Sequence, residues 1–272
     1  MRKFNFELFK TPNTRFGLML VLFEWSMTLF FGYLSLRWQW FWPICLVLFG
    51  RAQLILDNIG HYAGHQTLFR SPRSNEALSF LYFFPVFTTK SEWYDDEHRK
   101  HHRKLGAPDD PGMLTYKRWG LKKYGLMRAF FLVPFSEFGL NLRLINIARN
   151  WKLLSFWTSI ALLAVLFGFW WPIVLWLISF FTTRMYFIFI SEVSEHYKTA
   201  ENHFQKWDMG SRILASPLSI LFKYPWDKFH WFHHEFPKIP PNRITAAFKQ
   251  YVREGFAVPT GQSLREMYQE IS

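Results

Sequence analysis

Apolar residues along this chain gather into four long runs separated by stretches rich in charge. The runs extend from about Gly17 to Leu36, Trp38 to Ile59, Leu153 to Trp170 and Pro172 to Ile190. A helix of roughly 17–25 residues crosses a bilayer, so each run predicts a membrane span. Only Arg37, Trp38 and Gln39 part the first two runs, and Trp170, Trp171 and Pro172 part the last two. Each pair therefore predicts a tight helical hairpin with tryptophan at its turn, where indole favours the membrane interface. Two further stretches are apolar but different in kind. Ala77–Thr89 is too short to span and holds Pro85, which predicts a re-entrant or interfacial helix. Residues 117–151 mix Lys and Arg with Phe, Leu and Trp, the pattern of helices lying along the headgroups. The tail from Asn242 reads as a small soluble cap with a helix over Ser263–Ile271. The sequence holds no internal repeat and no low-complexity tract.

Composition sharpens this picture. Hydrophobic residues make up 50% of the chain and aromatics 21%, with 32 Phe and 14 Trp; the mean hydropathy of -0.03 is mild only because charged stretches dilute very apolar ones. A net charge of +12 would point to nucleic acid in a soluble protein. Beside four apolar runs it reads instead as basic loops facing the cytoplasmic side of a bilayer, and no nucleic-acid partner is expected. Residues 1–15 carry four Lys/Arg, residues 60–150 fourteen and residues 191–272 ten, whereas the hairpin tips hold only Arg37. The positive-inside rule then places both termini and all three basic regions in the cytoplasm. The basic, polar start lacks the pattern of a cleaved signal peptide. Cys45, the single cysteine, sits in an apolar run and reads as a core residue. Glu24, Arg51, Asp57 and Arg184 lie within or near the spans, where ionisable groups face the bundle interior and pair or serve function. Arg51 and Arg184 are matched to Glu24 or Asp57 without further assignment. The fold expected is thus an all-α integral membrane domain over residues 1–272, with four spans in two hairpins. A cytosolic helical cap comes from residues 60–150 and 191–272.

The chemistry lies in the histidines. All ten fall into four tight clusters: His61 and His65; His98, His101 and His102; His196 and His203; and His230, His233 and His234. The first pair is four apart and shares one helical face. The two HxxHH clusters put three imidazoles on one face, with His101 and His102 able to reach two neighbouring metals. Eight or nine imidazoles exceed the needs of one tetrahedral metal, so the count predicts two. All four clusters fall on the cytoplasmic side by the charge rule, an agreement the ligand argument did not require. His196 directly follows the fourth run and is a ligand candidate; His203 sits in a polar stretch and reads as an exposed or structural histidine. Carboxylates that could accept from the far nitrogen of a bound imidazole are Asp57, Asp227, Asp95, Asp96 and Glu97. Glu192, one turn before His196, is placed to bind or approach a metal directly and is the candidate catalytic carboxylate. Nitrogen ligation without thiolate suits iron, copper, zinc or nickel alike.

The choice among these comes from resemblance. In order and context the clusters LDNIGHYAGH, DEHRKHHRKLGAPDDPG, SEVSEHYK and SPLSILFKYPWDKFHWFHHEFPKIPPNR resemble the histidine boxes of the membrane fatty acid desaturase superfamily, which also holds hydroxylases and ketolases. The likeness covers most of the chain, and the HxxHHxFPxxP context is its most specific stretch. It implies a non-haem diiron centre on a four-span protein with a cytosolic cap, dioxygen as co-substrate, and two electrons per turnover from a partner. It implies His61, His65, His98, His101, His102, His196, His230, His233 and His234 as the nine ligands. The chain departs from many relatives at Tyr62, where an acidic residue is common, and at Glu192, where acyl-CoA desaturases often carry Asn. Trp231 and Phe232 stand where some lipid desaturases have the HxEHH glutamate. These differences leave substrate and outcome open.

The expected activity is oxidation of an unactivated C–H bond in a lipid acyl chain, foremost fatty acyl desaturation. Hydroxylation or ketolation of a fatty, terpenoid or carotenoid substrate is the rival within enzymes. A membrane metal transporter or metal-binding protein is the rival of another class, but it would carry its ligands inside the spans. A catalytically dead scaffold is at odds with complete boxes. With no GxGxxG loop and no HPGG stretch, electrons are expected from a separate ferredoxin or cytochrome b5 type donor.

Overall fold

The computed structural model describes residues 3–138, 150–198 and 217–258, with isolated positions 213, 263, 265, 266 and 269. His203, residues 139–149 and most of the expected C-terminal helix lie outside the described residues. The described elements are all helical. The principal ones are α1 (Thr14–Arg37), α2 (Trp42–Gly64), α3 (Arg99–Arg103), α4 (Pro111–Arg118), α5 (Leu126–Phe138), α6 (Trp151–Phe167), α7 (Trp170–Phe181), α8 (Thr183–His196), α9 (His230–Glu235) and α10 (Pro241–Arg253).

Among the described residues, three helical segments are long and apolar enough to cross a membrane: Thr14–Arg37, Gln39–Gly64 and Trp170–His196. The third predicted run forms α6, which at 17 residues reaches about 25 Å, short of a hydrocarbon core of about 30 Å. Large apolar side chains on α1 and α6, including Leu22, Phe23, Phe30, Leu162 and Val165, point outward, as lipid-facing positions do. The turn between the third and fourth runs also differs from expectation. It falls at Gly168 and Phe169, and Trp170 already starts α7. Gly168 takes the left-handed conformation (φ 72°) that ends a helix, while Pro172 sits in the first turn of α7, where a missing N–H costs little. The fourth run is broken at Thr182 (φ -123°, ψ -89°) into α7 and α8.

Helix α2 is the centre of the bundle, packed against α1, α7 and α8. Its glycines let neighbours approach. A Cβ on Gly50 would stand 2.3 Å from Thr183 Oγ1 and 2.6 Å from the Arg184 backbone nitrogen, so α8 begins in direct backbone contact with α2. Ion pairs tie the bundle internally. Arg51 meets Glu24 at 3.4 Å and Arg184 meets Asp57 at 2.7 Å, which resolves the pairing of the four intramembrane charges. Tyr224 adds a hydrogen bond to Glu24 (2.8 Å) from the C-terminal region.

Ala77–Thr89 is not the continuous helix expected. It folds as two 3-10 turns, Ser79–Leu81 and Phe84–Val86, because Pro85 lacks an N–H and Phe87 is left-handed (φ 57°). Three indoles satisfy carbonyls that a helix would have bonded itself: Trp25 to Leu81, Trp176 to Pro85 and Trp157 to Phe84, at 2.9–3.0 Å. The segment thus remains irregular yet buried. At the other end, Phe4 stacks edgewise on Phe232, Phe236, Tyr251 and Phe256, so the N-terminal segment braces α9 and α10.

The Gly50 contact generates a direct test. Gly50→Ala should destabilise the purified protein by about 1–3 kcal/mol through overpacking, seen as a lower Tm in detergent. Gly32→Ala, whose Cβ would meet nothing nearer than 3.5 Å, should leave Tm unchanged.

Candidate metal centre

Four separated segments deliver imidazoles to one place. Helix α2 presents His61 in its last turn and His65 at its C-cap. The second cluster begins in a π-helical stretch, Ser91–His98, that passes into α3. The wider π turn, often found at functional sites, carries His98 into position, and α3 follows with His101 and His102. His196 is the last residue of α8, and α9 supplies His230, His233 and His234.

The rings sort into two groups. His61, His65, His98, His102 and His233 place ligand nitrogens within 4.8 Å of one another. His101, His196 and His234 form a second set, and His196 also joins His230 and Glu195 in a third that overlaps it. Every close contact runs between Nε2 atoms: His61 to His233 at 2.7 Å, His65 to His98 at 3.1 Å, His101 to His196 at 3.2 Å, His196 to His230 at 2.9 Å and His230 to His234 at 3.2 Å.

The far nitrogens bear on which form of each ring faces its neighbours. His101 Nδ1–H donates to Asp110 Oδ1 at 2.8 Å, and His230 Nδ1 lies 3.3 Å from Glu195 Oε1. His65 Nδ1 meets the Tyr94 hydroxyl at 3.0 Å. A neutral imidazole whose Nδ1 proton is so engaged has only a lone pair at Nε2. Opposite each such ring stands His196, His98 or His234, whose Nε2 presents a proton or a lone pair according to its tautomer; a metal ion would take up both lone pairs. Ligand nitrogens within 4.8 Å of one another are close enough for one ion to reach several of them with bonds of about 2 Å. The buried Nε2 of His102 has no hydrogen-bond partner among the described residues, as expected of a nitrogen reserved for a metal. The donor set therefore fits bound metal ions.

Electrostatics agree. Burial, then the neighbouring imidazoles, holds His65, His98, His230, His233 and His234 well below the usual histidine range. Burial and then His101 push His102 down to about 3. These rings stay neutral, the form that binds metal. His101 is the exception: burial lowers it, but the hydrogen bond and charge of Asp110 outweigh that and leave it raised. A carboxylate behind a ligand makes it a stronger donor.

Several partners differ from those expected. Asp57 pairs with Arg184, Asp227 accepts from the Tyr62 hydroxyl and the Tyr224 amide, and Asp95 sits at the surface with Arg99. Glu192 lines the cavity beside the histidines but is in none of the ligand groups. The carboxylate that reaches them is Glu195, which the sequence reading passed over. It is held by Lys223, a lysine only 1% exposed. Asp110 was also missed, although it announces itself as a helix N-cap before Pro111: it accepts from Gly106 and Gly112 amides at 2.8 and 2.9 Å while holding His101. Tyr94 reaches His65 because Gly64 leaves room; a Cβ there would stand 2.2 Å from its ring.

Three helical segments long enough to cross a membrane, ending among histidine groups that could hold metal ions, make this a candidate membrane metalloprotein. The comparison with known families narrows this. The chain matches the fatty acid desaturase family over residues 36–259, which includes every histidine in the two groups, and it belongs to that family. No curated protein matches it. Membership makes it an oxidoreductase associated with lipid and membrane.

Asp110→Asn would turn an NH2 group toward a backbone amide or toward His101, losing one acceptor. It should weaken metal binding about 10–100-fold, measured by competition with a chelator. Unchanged affinity would show that Asp110 caps α4 and does nothing more.

Proposed function

We propose that this protein is a dioxygen-dependent non-haem diiron oxidoreductase that introduces a double bond into a lipid acyl chain. The observation that carries the proposal is the convergence of nine imidazoles into two groups within a fatty acid desaturase chain. His61, His65, His98, His102 and His233 would hold one iron; His101, His196, His230 and His234 would hold the other. Bound there, the pair would activate dioxygen for hydrogen abstraction from an unactivated C–H bond, with electrons from a separate ferredoxin or cytochrome b5 type donor.

The chain's own residues have distinct tasks in this reading. Asp110, Tyr94 and Glu195 orient the rings they touch. Lys223 neutralises Glu195 so that a carboxylate can stay buried beside the histidines. A cavity of about 330 Å³, walled by Leu54, Trp119, Met185 and Ile188 as well as the histidines, is the seat for metals and substrate. Its apolar wall fits a hydrocarbon segment and keeps water from the reacting carbon. Glu192 lies on the cavity wall one turn before His196, where a catalytic carboxylate would act. We assign α6 as a fourth, short span and its turn into α7 as the tip of a second hairpin. Both termini and the metal centre then lie on the cytoplasmic side, in keeping with the distribution of Lys and Arg. A transporter is the weaker reading, because His61, His65 and His196 emerge at helix ends rather than along a path within them.

Acyl profiling of a host with and without the gene tests the activity. The wild type should add unsaturated acyl species and carry about two irons per chain. His101→Ala and His233→Ala, one from each group, should each abolish the product and lower iron while the protein stays in the membrane. Full activity in either variant would refute the assignment. Hydroxylated products in place of alkenes would favour the rival outcome.

A further inference from the structure

Helix α5 carries a face that the metal centre does not use. On one side Ala129 and Val133 are fully buried, and Phe130 packs on Tyr186 and Phe189 of α8 at ring distances of 4.7 and 5.7 Å. Helix α8 ends the membrane-length segment Trp170–His196, so α5 lies alongside a helix able to cross a bilayer. The opposite side of α5 is open: Met127 is 54% exposed, Phe131 61% and Phe135 76%. Their spacing of four residues lines them up as one apolar stripe, about half a turn around the helix from Ala129 and Val133. At 13 residues α5 reaches about 20 Å, too short to span a hydrocarbon core of about 30 Å. An apolar stripe on a helix of this kind is covered by something.

Charge indicates what covers it. Residues 114–135 hold five Lys or Arg (Lys117, Arg118, Lys122, Lys123 and Arg128) and no Asp or Glu. Lys123 and Arg128 are exposed and lie over the Tyr124 ring, 4.9 and 5.2 Å from its centre, held against an aromatic face rather than a carboxylate. Arg128 directly follows Met127 and so flanks the stripe. A second copy docked stripe to stripe would crowd two such basic rims into one interface. Lipid headgroups of net negative charge would instead neutralise the rim while their acyl chains took the stripe.

We propose that α5 is a membrane-surface anchor specific for anionic phospholipid. Met127, Phe131 and Phe135 enter the acyl region of the cytoplasmic leaflet, and Lys123 and Arg128 select headgroups of net negative charge. The long stems of Lys and Arg let the stripe sit in the acyl layer while their charges stay at headgroup level. This goes beyond the catalytic reading and does not depend on it.

The substitution Phe131→Cys places a thiol on the stripe for a fluorophore; the chain's own cysteine, Cys45, is buried. The labelled full chain is reconstituted into phosphatidylcholine vesicles in which a fixed minor share of the lipid carries a spin label on its acyl chain. That share is either phosphatidylglycerol or phosphatidylcholine, and quenching reports which lipid lies against α5. Both should quench. Phosphatidylglycerol should be favoured at these sites about fivefold or more at low salt, the scale set by one Lys or Arg at an anionic surface. Lys123→Gln combined with Arg128→Gln should remove the preference while quenching and Tm stay as they were, since both side chains are exposed. Salt at about 1 M, where screening acts within about 3 Å, should also remove most of it. Absence of quenching by either lipid would show a face covered by protein or open to water, and would overturn the proposal. Equal quenching by both lipids at low salt would overturn it too, as would a preference that survives in the double variant.

Discussion

Nine imidazoles share one largely buried space, with Nε2 atoms of eight of them 2.7–3.2 Å from a neighbour's. That is the constraint on which the rest of the structure depends. Carboxylates and a tyrosine engage the far nitrogens of His101, His230 and His65, which turns their Nε2 atoms toward neighbouring rings at 2.9–3.2 Å. A metal ion within each group would be bound by several of these nitrogens at once. Burial, which holds most of these rings well below the usual histidine range, serves the same end by keeping lone pairs free of protons.

Bringing nine imidazoles together from four segments demands a stiff frame, and the packing supplies it. Helix α2 runs through the bundle and ends on His61 and His65; α8 starts in backbone contact with it at Gly50 and ends on His196. Two ion pairs, the part-exposed Arg51 with Glu24 and the buried Arg184 with Asp57, tie the helices together. Breaking such a pair by removing one partner would leave an uncompensated charge. Above the bundle, the aromatic cluster around Phe4 and Tyr251 fixes α9, and the Asp110 cap fixes the turn after α3. The frame and the site are therefore one construction: the elements that cross the apolar layer also aim the rings.

Much of this was legible in the sequence, and the reason is local. Spacings of three and four residues put His98, His101 and His102 on one side of one helical stretch whatever the tertiary fold, and apolar runs announce their helices. What escaped was set by contacts between distant segments. Glu192 was favoured over Glu195 because i and i-4 share a helical face with His196. The partner of Glu195, however, is His230, which arrives from another element far along the chain. Asp57 looked like a support for His61 from its spacing, yet Arg184 across the helix interface claims it. The irregular path of Ser79–Phe87 depends on three tryptophans far away in sequence. The break at Thr182 and the short α6 likewise carry no strong local signal beyond Gly168.

Iron-edge anomalous scattering from crystals of the purified full chain tests the central claim most directly. Two separate peaks are predicted, one among His61, His65, His98, His102 and His233 and the other among His101, His196, His230 and His234. A single peak, or iron bound away from these rings, would contradict the account.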